Sequence, residues 1–244
     1  MPRGARDDSD VRREASTDYP LDVAELAARL GSPHSFYRWG NVLAIFSPRD
    51  GGGPFALDDY DDDYHARFFV KDHQPGCTSV FVHHCGVGSD PVSITFVGGL
   101  PDCSSMGFES VFCYYDGSPD LRFRLFVSDG SSETTYCIRL VYGVSRWSMY
   151  YLNSSNSWTL ISDQVPVWNY WVPKDHFKMV VSLDAYEYAY VYLDRVKYSL
   201  VGKPAYHSAV SGNVEVVAAV ELRGYSSSSA DVLVGDCIVT TDEL

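Results

Sequence analysis

The stretch FALDDYDDDYHARFFV, Phe55 to Val70, places five aspartates among the six residues from Asp58 to Asp63, interrupted only by Tyr60. Crowded carboxylates are the chemistry of a hard cation. Calcium takes about six to eight oxygen ligands, often with several carboxylates supplied by one loop. Asp58, Asp59, Asp61, Asp62 and Asp63 are therefore the candidate metal ligands, and calcium is the candidate cofactor. The run lacks the alternating spacing and the glycine of an EF-hand loop. A site here would take one or two of the aspartates together with main-chain carbonyls of a neighbouring loop. The other reading is a solvated acidic loop ahead of the strand Tyr64 to Lys71, whose charges keep the apolar ARFFV edge from pairing with other chains.

A second constellation is YEYAYVYL, which sets Tyr186, Tyr188, Tyr190 and Tyr192 at alternate positions. Alternate residues of a regular strand face the same way. All four rings are thus expected on one surface, with Glu187, Ala189, Val191 and Leu193 toward the core. Such rings can stack on sugar faces while their hydroxyls bond sugar hydroxyls. The plainer reading is that tyrosine is a good strand former on a half-exposed face. Five tryptophans sit at 39, 147, 158, 168 and 171. Trp168 and Trp171 lie in a segment that begins VPVW and ends at Pro173, which reads as a loop or a sheet edge. Exposed, Trp147, Trp168 and Trp171 would join the tyrosines as ligand-binding residues. Buried, they would plug one end of a sandwich. His176 precedes the tyrosine run and is the candidate partner of a His/Tyr acid–base pair.

Other chemistries find little support. Cys77, His83 and Cys85 share strand parity, but alternate strand positions diverge, whereas zinc ligands must converge. There is no Gly-x-Ser-x-Gly nucleophile turn and no Gly-x-x-x-x-Gly-Lys phosphate loop. A glycosidase needs two carboxylates within about 5–9.5 Å of each other. Glu215 and Glu221 share a strand face but stand roughly 20 Å apart along it.

The elements that must position these residues are strands. LRFRLFVSD alternates Leu121, Phe123, Leu125 and Val127 against Arg122, Arg124 and Ser128. HFKMVVSLD, NVEVVAAVEL and DVLVGDCIVTT have the same period of two. Turn signals such as YDGSPD, SDGSS and NSSNS separate the runs, giving about twelve to fourteen strands and an all-β, two-sheet antiparallel sandwich. One short amphipathic helix is expected within 19–34, where Val23, Leu26, Ala27 and Leu30 share a face and Gly31 caps the end. Residues 1–18 read as a disordered leader and 35–244 as the sandwich domain. The formal charge is −13 and the isoelectric point about 4.8. That argues against nucleic acid and against anionic membrane surfaces, both of which attract Lys and Arg. A neutral or cationic partner fits better. No apolar run reaches the length of a membrane span, and the N-terminus lacks the apolar region of a secretory signal, so a cytoplasmic location is expected. The six cysteines are irregularly spaced and read as mostly reduced and buried.

The C-terminal third carries a resemblance. WSMYYLNSSNSWTLI, then HFKMVVSLDAYEYAYVYLDRVKYSLVG, then ADVLVGDCIVTTDEL follow in order. This succession resembles the back half of a concanavalin A-like jelly roll, the lectin, glucanase and laminin-G type of sandwich. Val232, Val234, Asp236, Ile238 and Thr240 match the final strand of that group loosely. The resemblance covers about 35–240 and is one of pattern. It implies carbohydrate binding on a concave face or its edge loops, often with calcium in the loops. Glucanases of this fold carry a Glu-x-Asp-x-x-Glu or Glu-x-Asp-x-Glu strand, and lyase relatives a Gln-x-His strand; neither run is present. The expectation is a lectin-like, non-catalytic carbohydrate-binding protein that uses its aromatic face. A glycan-active enzyme, or a subunit that packs that face on a partner protein or on a second copy as a homo-oligomer, are the alternatives.

Overall fold

The computed structural model describes residues 41–46, 55–58, 68–74, 77–84, 91–143, 146–165, 167, 175–194, 196–210, 212–224 and 229–243. Sixteen strands and no helix form among them. The leader and the helix expected within 19–34 lie outside the described residues, as do Trp168, Trp171, Asp59, Asp61, Asp62 and Asp63.

The strands make two eight-stranded sheets whose pairings are antiparallel throughout. Sheet A runs β13 (Val196–Pro204), β12 (Glu187–Leu193), β11 (Asp175–Ser182), β6 (Ser105–Gly117), β16 (Ala230–Thr241), β4 (Cys77–His84) and β3 (Phe68–Gln74). β1 (Asn41–Phe46) also pairs with β16. Sheet B runs β10 (Trp158–Val165), β9 (Arg146–Leu152), β8 (Glu133–Gly143), β7 (Pro119–Asp129), β15 (Val214–Gly224), β5 (Val92–Gly98) and β2 (Phe55–Asp58), with β14 (Tyr206–Ser208) on β8. Neighbours distant in sequence, such as β6 beside β16 and β7 beside β15, give the all-β sandwich its crossed connections.

Alternation decides which side of each strand is apolar. On β7, Leu121, Phe123 and Leu125 are fully buried, while Arg122 and Arg124 emerge on the other side. On β11, Phe177, Met179 and Val181 face inward; on β15, Val216, Ala218, Val220 and Leu222 do. Phe123 of sheet B stacks on Phe177 of sheet A at 3.8 Å and 11°. Phe112 and Phe108 close around the same ring at 5.3 and 6.5 Å. Burying one such ring stabilises the fold by roughly 1.5–3 kcal/mol, so this aromatic cluster is a main bond between the layers.

Candidate functional site

The tyrosines expected on a single surface divide three ways. β12 carries a bulge at Ala189: against β11, Val181 pairs with Tyr188 while Val180 pairs with Tyr190. One extra residue flips everything on one side of it to the opposite face. Tyr190 and Tyr192 remain half-exposed on the outer face of sheet A, at 5.4 Å from each other. Lys197 lies 4.0 Å above the Tyr190 ring. Tyr188 points into the core at 1 % exposure. Its hydroxyl accepts the Cys137 N–H at 2.8 Å and donates to the Leu152 carbonyl at 2.9 Å. Those two main-chain groups lie just beyond the β8–β9 ladder, which begins at Ile138 and Tyr151. A residue expected at a ligand surface is thus an inter-sheet tie. Burial pushes its phenol well above the ordinary range.

Tyr186 precedes β12 with a left-handed φ of 53° and packs against His207 at 4.3 Å with the rings tilted by 34°. It lines an end cavity of about 380 Å³ with Asp102, Asp129, Asp184 and Tyr136. Asp129 there is held by the N–H and hydroxyl groups of Ser131 and Ser132, which keep its carboxyl far below the usual range. Trp147 is the other correction. It is 4 % exposed and packs against Tyr142 and Tyr114 at 5.4 and 5.5 Å, because its parity on β9 is that of the core residue Met149. His176 is half-buried on β11, its main-chain N–H and C=O both bonded to Asp194 at the β12–β13 hairpin. Asp58 ends β2, with its Cα opposite Ser93 at the edge of sheet B. Among the described residues, no group of three or more His, Cys, Asp or Glu side chains converges as a metal site.

The outer face of sheet A around β11 is closed. Lys178 is 1 % exposed, with its ammonium 3.2 Å from Glu109 and 2.8 Å from Glu243. Thr240 also donates to Glu243. Gly107 beneath is a place of close approach, where a Cβ would collide with Thr240 Oγ1.

The outer face of sheet B is built differently. Cross-strand register aligns Tyr150, Arg139, Arg122, Glu221 and Ser93 in one row across β9, β8, β7, β15 and β5. Asp120, two residues before Arg122, takes both guanidiniums side-on. Arg122 donates Nε and Nη2 at 3.2 and 2.8 Å, and Arg139 donates the same pair at 2.8 and 2.9 Å. Burial would raise the Asp120 carboxyl, but its hydrogen bonds to Arg122 and Arg139, and their charges, outweigh that and hold it below the usual range. Arg124 pairs with Glu221 at 2.9 Å.

Trp158 lies over this network. Its ring centre is 5.2 Å from the Arg139 guanidinium carbon and 5.3 Å from that of Arg122, within the range of cation–π attraction. The preceding turn fixes its position. Asn153 Oδ1 accepts from the N–H groups of Ser155 and Ser157, and Asn153 Nδ2 donates to Thr159. Asn156 takes the left-handed conformation that Asn tolerates, at φ 55°. NSSNS thereby closes the β9–β10 hairpin and sets Trp158 opposite Leu152, the residue whose carbonyl Tyr188 holds.

The arrangement suits recognition better than proton transfer. It offers a fixed half-buried ring and planar N–H donors. The oxygens of Asp120 are occupied by two arginines, which suits neither a general acid nor a nucleophile. Sequence reasoning counted Trp158 without selecting it, and read Arg122 and Arg124 only as the polar side of a strand. The signal available was Asp-x-Arg-x-Arg on the face opposite Leu121, Phe123 and Leu125.

No protein-family model matches the chain, and no curated protein does. Among solved structures, a carbohydrate esterase from Shiga toxin-encoding bacteriophage phi24B is similar at TM-score 0.55 and 10 % identity, over 83 % of this chain and 99 % of that one. The shared feature is the sandwich fold. A β-1,3-glucanase from Mycobacterium marinum aligns at TM-score 0.42 and 12 % identity, over 83 % of this chain and all of its own. The carbohydrate-binding module CBM66 from Bacillus subtilis aligns at TM-score 0.37 and 12 % identity, over 77 % and 96 %.

Proposed function

We propose that this chain is a non-catalytic carbohydrate-binding sandwich of the concanavalin A-like type whose ligand lies on the outer face of sheet B, against Trp158. The observation that carries the reading is the Trp158 ring held over two arginines that one buried aspartate fixes in place. An aromatic plane beside immobilised planar donors suits a pyranose, which has an apolar face and a rim of hydroxyls. Pre-organisation matters because ordering loose side chains on binding would subtract from affinity.

A glycan-active enzyme is the second reading, favoured by one observation. Asp120 and Glu221 sit on neighbouring strands, diagonal across the Arg122–Glu221 pair. Diagonal neighbours lie about 7–8 Å apart, which is within the span of a glycosidase pair. Both carboxylates are tied to arginines, so the binding reading is preferred.

The test is a glycan array on the wild type and Trp158→Ala, each run with calcium and with chelator. Trp158→Ala is expected to lose about tenfold or more in affinity while keeping its melting temperature within a few degrees. Undiminished binding by the variant, or no glycan bound by the wild type, would overturn the reading. Loss of wild-type binding in chelator would assign calcium a part in it.

A further inference from the structure

Resting on that reading, we infer that the preferred ligand is a saccharide bearing carboxylate groups, a uronic-acid polymer. The argument is stoichiometric. Asp120 is one carboxylate for two guanidiniums, and Arg124 with Glu221 adds one further charge of each sign. This cluster of three arginines and two carboxylates therefore carries a net positive charge within a chain of formal charge −13. The side chains of Arg122 and Arg139 are each only 19 % exposed. Partly desolvated charge attracts an opposite charge more strongly than charge in open water.

Geometry gives the orientation. Each fork uses Nε and Nη2 on Asp120. The end-on edge of each guanidinium, Nη1 with the second Nη2 hydrogen, is turned away from that carboxylate. An end-on guanidinium edge matches a planar carboxylate with two parallel hydrogen bonds. A pyranose lying against Trp158 would carry a ring carboxylate at its rim, and the guanidiniums that this carboxylate would meet lie 5.2 and 5.3 Å from the Trp158 ring centre. Because Asp120 already fixes both forks, little side-chain entropy is lost when the anion arrives. The overall negative charge of the chain acts at long range and is screened beyond about 8 Å at physiological ionic strength. The local forks act at contact.

The experiment measures wild-type affinity for a panel of uronic-acid polysaccharides: polygalacturonate, polymannuronate, polyguluronate and hyaluronan. Each is paired with its carboxyl-reduced, neutral counterpart. At least one acidic member is expected to bind about tenfold or more tightly than its reduced twin. Arg139→Gln should bring that pair close to parity, and Arg139→Lys, which keeps the charge without the fork, should fall between. Equal binding within every pair, or binding of neutral glycans alone, overturns the inference. Trp158-dependent binding of neutral glycans would leave the carbohydrate-binding reading standing while this one falls. No binding of any glycan would sink both. The wild-type comparison needs no variant, so a folding defect in Arg139→Gln cannot obscure the outcome.

Discussion

The outer faces of the two sheets each hold a cluster of charges, and the clusters have opposite stoichiometry. On sheet A one ammonium, Lys178, serves two carboxylates, Glu109 and Glu243, and the group is sealed. On sheet B one carboxylate, Asp120, serves two guanidiniums, and an aromatic ring lies against them. Both arise from the same rule, that every second residue of a strand leaves the core. What separates them is coverage. On sheet A, Glu243 just past the end of β16 folds its carboxylate back onto Thr240 and Lys178, whereas Arg124 of sheet B is 41 % exposed. A sealed charge cluster can only hold the fold or strain it. A half-open one can meet a ligand.

That contrast can be broken on its structural side first. Lys178→Ala would leave two buried carboxylates without a counter-charge. A loss of about 3–5 kcal/mol is expected, measured by denaturant unfolding, with glycan affinity of the remaining folded protein unchanged. Replacement by methionine together with Glu109→Gln and Glu243→Gln should recover much of the loss. If Lys178→Ala unfolds like the wild type, sheet A is not sealed.

Tyr188 joins the two regions. It rises from sheet A and holds the main chain of Cys137 and Leu152, the first two residues before Arg139 and the second opposite Trp158. Tyr188→Phe would strand an N–H and a C=O in the core, at about 1–3 kcal/mol. It should also weaken glycan binding through a shifted Trp158. Unfolding curves and affinity measured together test this. A stable variant with unaltered affinity would mean the hydroxyl is dispensable.

The smallest effect should appear at acid pH. The folded pKa of Asp120 is depressed, so its stabilising contribution is complete above the unfolded value, near 4. That contribution is lost as pH falls through the lower folded value. Asp120→Asn should therefore flatten the part of the wild-type acid decline that lies below about pH 4. Denaturation midpoints collected from pH 2 to 7 would show it, and superimposable slopes would remove Asp120 from the acid limb.

Much of the sandwich was legible in advance. LRFRLFVSD reads its own burial, because Leu121, Phe123 and Leu125 go inward by period alone. The tyrosine run misled for the same reason that LRFRLFVSD succeeded. A period of two holds only while the pairing register holds, and the register of β12 shifts between Tyr188 and Tyr190 against both β11 and β13. Trp147 was misplaced because a tryptophan near a turn looks the same whether its strand parity is inward or outward. The site itself was hidden by distance. Asp120 and Arg139 are separated by 19 residues, Trp158 follows Arg139 by another 19, and no local pattern connects them.

The sequence by itself determined two antiparallel layers, the apolar side of most strands and the turn that presents Trp158, since alternation and turn chemistry are local. Only the tertiary structure decided where charge gathers. Overall composition is acidic and argues for neutral or cationic partners, yet register across β7, β8 and β15 collects three arginines around two carboxylates on one face. The acidic run from Asp58 begins where β2 ends on the far edge of that same sheet. Strand pairing, which depends on residues far apart in the chain, is what turns scattered charges into a surface.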